Sequence, residues 1–192
     1  MKILITLFLC FVVTSVSAQQ FEVYFSPNGG CTNAVVNQLA TAKKTILVQA
    51  YSFTSIPIAE ALVKAEKRGI KVNVVLDRSN TSTKYSVATT LFKSGVKVKI
   101  DSKHAIAHNK IIIIDDDCVI TGSFNFTSNA EKSNAENLLV IHSKSLVDKY
   151  KVNWELHEKH SETFKPAGEG LIVGVAFFIN SNLKSFLVTA RF

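Results

Sequence analysis

Hydrophobic and polar positions along the chain switch between a period of two and a period near 3.6, and the switches mark out the elements. Residues 21–25, Phe-Glu-Val-Tyr-Phe, alternate as a half-buried strand does, and the run stops at the turn signal Pro27-Asn28-Gly29-Gly30. Val35, Val36 and Leu39 then return at helical spacing, with Thr32 or Asn33 placed to cap the helix. Residues 45–51 form a β-branched, largely apolar strand. Ser55, Pro57 and Gly69 punctuate a second helix, whose buried stripe is Ile58, Ala61, Leu62 and Ala65. Residues 70–76 read as strand, 77–83 as polar loop, 84–92 as helix and 96–100 as a short strand. The run Ile111-Ile112-Ile113-Ile114 has no alternation at all, so the strand 110–115 must be buried on both faces, and 118–121 is its partner. A short helix over 127–132, a strand over 137–142 and a helix over 145–160 follow.

This order predicts a single α/β domain, a mixed, largely parallel sheet flanked by helices on both faces. A chain of 192 residues suffices for one such core and is short for two. The two ends read differently. Met1-Lys2, the apolar run 3–13 and Val16-Ser17-Ala18 have the layout of a signal peptide over 1–18, with Gln19 as the mature start. The domain then occupies 19–165, and a secreted or periplasmic location follows. Residues 166–192 form an apolar C-terminal segment of unknown role. Its core, 171–179, is about half as long as a membrane span needs, which leaves extra strands, an interfacial segment or an aberrant terminus. No permanent membrane span is expected.

Charge narrows the partners. Lys and Arg number 22 against 15 Asp and Glu, a net charge of +7. Cleavage of the leader removes one lysine and leaves the chain basic, as suits a polyanion such as nucleic acid or an anionic phospholipid surface. Lys43, Lys44, Lys93, Lys97, Lys99 and Lys103 could track such a backbone along a groove. Cys31 and Cys118 remain after the leader, in a compartment that permits a disulfide between them. The apolar run around Cys118 favours two free or buried thiols over that bond. There is no CxxC, and the spacing of the histidines makes no persuasive metal-ligand set, so neither metal nor cofactor is expected.

One segment carries the chemistry. His108 and Lys110 share a strand face, whereas Asp115, five positions beyond Lys110, has the opposite parity. If Asp116-Asp117 makes a two-residue turn, Lys110 comes to face Ser123 and His108 to face Asn125. One hairpin then gathers an imidazole, an ammonium, a hydroxyl and a carboxamide, with Gly122 allowing close approach. Such a set can hold the non-bridging oxygens of a phosphodiester while histidine attacks phosphorus or moves a proton. His142-Ser143-Lys144 and His157-Glu158-Lys159 repeat His-x-Lys without the rest, and read as solvated helix residues. The full pattern is His-x-Lys, Asp five residues on, then Gly-Ser-x-Asn. By chance it should occur at about one start in a hundred million.

That pattern resembles the catalytic signature of the phospholipase D superfamily. Residues 21–160 are similar to its small, exported, single-motif bacterial members, both endonucleases and phospholipases D. Gln49-Ala50-Tyr51-Ser52, Leu76-Asp77-Arg78, Gly122-Ser123-Phe124-Asn125-Phe126-Thr127 and Ala135-Glu136-Asn137 extend the likeness. The resemblance implies a metal-independent hydrolase working through a phosphohistidine on His108, with a second His108 as general acid. It implies that Lys110 and Asn125 bind phosphate, that Ser123 supports them and that Glu136 orients the imidazole. Asp115 belongs to the motif as a catalytic-signature residue, although parity sets it off the reactive face. Two histidines from one motif imply a homodimer with the active site on its two-fold axis. The substrate reads as nucleic acid, with a phosphatidyl lipid as the alternative and an inactive phosphate-binding module as a remote third.

Overall fold

The computed structural model describes residues 20–166 apart from 83 and 85; the leader and the C-terminal segment read above lie outside the described residues. Strand β1 (Gln20–Ser26) leads to helix α1 (Cys31–Thr41), β2 (Thr45–Ala50), α2 (Ile56–Lys67) and β3 (Lys71–Asp77). After a 3-10 turn at Arg78–Thr81 come α3 (Ala88–Lys93), β4 (Lys97–Asp101), β5 (Lys110–Ile114) and β6 (Cys118–Gly122). The described chain ends with α4 (Ser128–Lys132), β7 (Glu136–His142), α5 (Lys144–His160) and β8 (Glu162–Thr163). Among these elements only β8, a two-residue edge strand, is absent from the sequence reading.

All the strands join one eight-stranded sheet in the order β1-β7-β6-β5-β2-β3-β4-β8. It is mixed, as expected, but it is not largely parallel. β2, β3 and β4 run parallel, while every other neighbouring pair is antiparallel. The reason lies in the connections. A parallel crossover needs a dozen or more residues, and the link from β4 to β5 is shorter and carries no helix. β5 therefore enters beside β2 in the antiparallel sense, pairing Ala50 with Lys110.

The uninterrupted isoleucines of β5 do what their lack of alternation requires. Ile112 and Ile114 join the larger core under α1, α2 and α3, whereas Ile111 and Ile113 pack with Leu47, Val75, Val119, Val147 and Trp154 beneath α5. Helices thus cover both faces. Trp154 also donates its indole N–H to the Val48 carbonyl at 2.9 Å, fixing α5 across the sheet.

Two helix starts differ from the sequence reading. Ser55 is the N-cap of α2 but makes no side-chain cap bond there. α1 begins a residue earlier than Thr32, and neither Thr32 nor Asn33 caps it. Instead the Glu131 carboxylate, contributed by α4, accepts the Gly30 N–H at 3.1 Å and the Thr32 N–H at 2.6 Å. A carboxylate at a helix N-terminus is favoured by both the free N–H groups and the dipole. Cys31 and Cys118 are both buried free thiols, as read from the sequence. Burial pushes their pKa values up to about 11 and about 12 respectively.

Candidate active site

The C-terminal ends of β2, β3 and β4 lie together, and β5 starts at the same end because it runs against β2. The segment 102–109 crosses this end and delivers His108. It is tied down twice by carboxylates at strand ends. Asp77 accepts the Ala107 N–H at 2.8 Å, and Asp101 accepts the Lys103 N–H at 3.1 Å. Tyr51, just past β2, donates its N–H to the Asn109 carbonyl at 2.9 Å.

His108 is exposed at the mouth, and Lys110 lies below it, only 7% exposed. Lys110 Nζ donates to the His108 carbonyl at 2.7 Å and sits 3.0 Å from His108 Nδ1. Tyr51 backs both residues: its ring centroid is 4.7 Å from that of the imidazole and 5.3 Å from Nζ. Burial lowers the Lys110 pKa, and the nearby Glu136 carboxylate partly offsets this. Glu136 itself accepts a hydrogen bond from Asn134 Nδ2 at 3.1 Å. Among the described residues it makes no hydrogen bond to His108. Its nearness to Lys110 is electrostatic.

The hairpin differs from the expected one by a single residue. Ile114 pairs with Cys118 and Ile111 with Thr121, so the turn contains three aspartates rather than two. Asp115 takes a left-handed backbone, φ 53°, which Asp tolerates better than most residues. Continuing that register sets Lys110 against Gly122, and neither Ser123 nor Asn125 is a ladder partner as had been expected. Gly122 is where the strand breaks: its φ is 145°, and an added Cβ would stand 2.3 Å from the Asn137 carbonyl oxygen. The close approach read at this glycine is therefore a backbone contact. Ser123 and Phe124 both donate N–H groups to that oxygen. Ser123 then closes a reciprocal clamp, its N–H on Asn137 Oδ1 at 2.8 Å and its Oγ accepting the Asn137 N–H at 3.1 Å.

Past this break Phe124 and Phe126 are buried, with Asn125 between them. The Phe126 carbonyl accepts the N–H groups of Thr54 and Ser55, and Phe53 bridges Phe126 in parallel. The segment after β2 thereby joins Asn125 to the His108 region through Tyr51. The Asn125 Oδ1 is buried and has no hydrogen-bond partner among the described residues. A buried amide oxygen without a partner is a costly arrangement unless something else meets it.

Asp115 is not part of this cluster. It lies at the other end of β5, where its carboxylate accepts N–H groups from Lys43, Lys44 and Thr45 at 2.8–2.9 Å. Burial would raise its pKa, but those three backbone donors outweigh burial and lower it. The structure does not bring Asp115 together with the other residues of the catalytic signature: it ties the hairpin to the entrance of β2. The two decoy histidines are not solvated helix residues either. His142 ends β7 and meets Asp117 at 2.7 Å, and His157 reaches the buried Asp101 at 2.7 Å. Nor do the six lysines line one groove. Lys43 and Lys44 enter β2 at the end remote from His108, Lys97 and Lys99 pair with Glu158, and only Lys103 stands on a loop at the catalytic end.

The comparisons with known proteins agree with this geometry. The model of the cardiolipin synthase, PLD-like domain matches residues 35–157. The chain belongs to the phospholipase D-like family. It is 43% identical over 142 residues to a phospholipase D of Rickettsia conorii, covering 74% of this chain and 71% of the relative. A mitochondrial cardiolipin hydrolase of Xenopus laevis is 29% identical over 136 residues, covering 69% and 65%. Among solved structures, Nuc from Salmonella typhimurium, a phospholipase D family member, aligns with a TM-score of 0.73 at 35% identity. The alignment covers 77% of this chain and 99% of Nuc. NucT from Helicobacter pylori gives 0.71 at 27%, covering 76% and 99%. The protein is thus a phosphodiester hydrolase of the phospholipase D type with a mixed α/β fold. Tyr51, Asp77 and Asn137 support the site without having been given a role from sequence. Tyr51 and Asp77 stand at strand ends in stretches that already resembled the family, and that position was the available signal.

Proposed function

We propose that the protein cleaves phosphodiesters in nucleic acid through a covalent phosphohistidine on His108. The observation that carries the reading is the exposed imidazole of His108 set 3.0 Å from the buried ammonium of Lys110. His108 supplies the lone pair that attacks phosphorus, and Lys110 and Asn125 hold the phosphate. With Lys110 donating to Nδ1, the imidazole carries its proton on Nε2, the form that protonates a leaving oxygen. The attacking form needs the reverse tautomer. Two copies of His108 in the two forms satisfy both roles, which supports a homodimer that joins two motifs at one site. Glu136 serves as a positioning residue by keeping Lys110 charged. Ser123 holds the Asn125 loop in place.

The segments that follow β3, β4 and β6 carry exposed Arg78, Lys103 and Lys132, which supports a polyanionic backbone as substrate. A lipid substrate is the second reading. The Rickettsia relatives are named phospholipase D, and Ile106, two residues before His108, is 57% exposed where an apolar chain would enter. Export through the leader 1–18 is part of the proposal and fits a secreted or periplasmic enzyme. Among the described residues no helix is long and apolar enough to cross a membrane. The test is to incubate the mature chain with plasmid DNA, RNA and phosphatidylcholine or cardiolipin vesicles, with and without EDTA, beside His108→Ala. Cleavage of nucleic acid alone is expected. Lipid turnover alone selects the second reading, and activity that survives His108→Ala overturns the mechanism for both.

A further inference from the structure

Four side chains that the phosphodiester chemistry does not use converge at the end of β4. Asp101 is fully buried, and its Oδ2 lies 3.0 Å from His104 Nδ1, 2.7 Å from His157 Nδ1 and 3.2 Å from His160 Nε2. The three imidazole centroids are 4.8, 5.2 and 5.4 Å apart. One potential ligand atom from each of the four residues lies within 4.8 Å of all the others. The chain builds this from two short pairs. Asp101 and His104 flank a turn, and His157 and His160 are one helical turn apart on the same face of α5.

We infer that Asp101, His104, His157 and His160 form a four-ligand site for a divalent transition metal of the zinc type. The hydrogen-bonded arrangement is incomplete as it stands. Three ring nitrogens crowd Oδ2, and only His104 Nδ1 also reaches Oδ1, at 3.2 Å, an oxygen that already accepts the Lys103 N–H. His160 Nε2 is the one left over: it is buried and, although 3.2 Å from Oδ2, has no hydrogen-bond partner among the described residues. A cation among the four atoms gives every nitrogen lone pair and the carboxylate a partner at once. Ligand atoms bound tetrahedrally at zinc distances stand about 3.3 Å from one another. The Asp101–histidine separations of 2.7–3.2 Å therefore need to open by at most about 0.6 Å, and the widest separations, up to 4.8 Å, need to close by about 1.5 Å, within reach of side-chain rotation. Three imidazoles and one carboxylate suit zinc, and cobalt, nickel or copper by the usual affinity order, better than magnesium or calcium.

Four protein ligands leave no open position, which is the mark of a structural site. Its mechanical effect is local. Asp101 and His104 belong to the run that ends in His108, while His157 and His160 belong to α5, so the metal staples that run to the helix. The Lys103 N–H on Asp101 Oδ1 orients the carboxylate from behind, as outer partners of metal ligands do. His104 is 43% exposed at the side chain, which gives the ion an entry path.

The proposal does not depend on the substrate or on the phosphohistidine, and its test needs no turnover. The full mature chain is stripped with a chelator, freed of it, and titrated with Co²⁺ and then Zn²⁺. One Co²⁺ per chain with the visible bands of four-coordinate cobalt is expected, displaced by one equivalent of Zn²⁺. Saturation at about a thousand times Kd should raise Tm by roughly 8–16 °C. His104→Ala, on the exposed loop, and His160→Ala should each weaken binding about 100-fold or more, while His142→Ala, outside the cluster, should not change it. Circular dichroism confirms that each variant is folded. Absence of stoichiometric Co²⁺ binding by the wild-type chain, or equal binding by His104→Ala and His160→Ala, would show that the cluster is only a hydrogen-bonded staple.

Discussion

At the scale of single residues, position along β5 separates chemistry from support. Lys110 is buried where a neutral side chain would be more comfortable, and its lowered pKa shows that the folded chain holds the ammonium against its preference. The sign follows directly. Below the folded pKa the buried charge destabilises the fold, and the penalty is relieved as pH rises through that value toward the pKa of an unfolded lysine. Lys110→Met should therefore lower kcat by about 10²–10³-fold while leaving Tm unchanged or higher, as steady-state kinetics and thermal melts would show. The alkaline limb of the pH–rate profile should begin below the ordinary lysine range. Asp115 behaves in the opposite way. Its three backbone hydrogen bonds stabilise the fold above the unfolded carboxylate pKa, and that stability is lost as pH falls through the lower folded value. Asp115→Ala should lose about 1–3 kcal/mol in urea denaturation with kcat nearly intact at temperatures where the variant is folded. A collapse of kcat in the folded variant would return Asp115 to the catalytic group.

At the scale of elements, the hairpin β5–β6 shows what the sequence made legible and what it did not. The apolar run 111–114 announced a strand buried on both faces, and the hydrophobic periods located the helices and every strand except β8. The register was not legible, because a turn among three consecutive aspartates closes equally well over two residues or three. Only the left-handed backbone at Asp115 decides it, and a one-residue slip moves every ladder partner. Hence Lys110 and His108 stand together as their parity requires, whereas Ser123 and Asn125 follow a break at Gly122 and are not on the ladder. That break predicts its own mutant. Gly122→Ala should disturb the Ser123–Asn137 clamp, lowering Tm and reducing kcat through misplacement of Asn125. Combined melting and kinetic measurements on this variant would register both losses. The histidine cluster was illegible for another reason: His157-x-x-His160 is visible on a helix, but Asp101 and His104 lie more than fifty residues earlier, and only the packing of α5 beside β4 unites them.

At the scale of the whole molecule, the sheet brings the His108–Lys110 pair and the Asp101 histidine cluster to the same end. Strands β3 and β4 end in Asp77 and Asp101, Tyr51 follows directly on β2, and β5 begins at the same end with Lys110, two residues after His108. Ligand sites of such sheets usually lie beyond the carboxyl ends of the parallel strands, and antiparallel β5 starts at that end. A one-motif chain with a two-histidine reaction makes assembly the matching prediction. The active species should be a dimer, and dilution below its dissociation constant should reduce specific activity in step with the loss of dimer, as followed by sedimentation. Full activity from a monomer at nanomolar protein would contradict the shared site.

The central claim, covalent catalysis by His108, is tested most directly by trapping the adduct. A single turnover with substrate labelled at the scissile phosphate, quenched in alkaline detergent because phosphohistidine hydrolyses in acid, is digested and mapped by mass spectrometry. The account predicts a substrate-derived phosphoryl group on the peptide bearing His108, absent in His108→Ala. Turnover by the wild-type chain with no protein-bound label, or with the label on another residue, would contradict it.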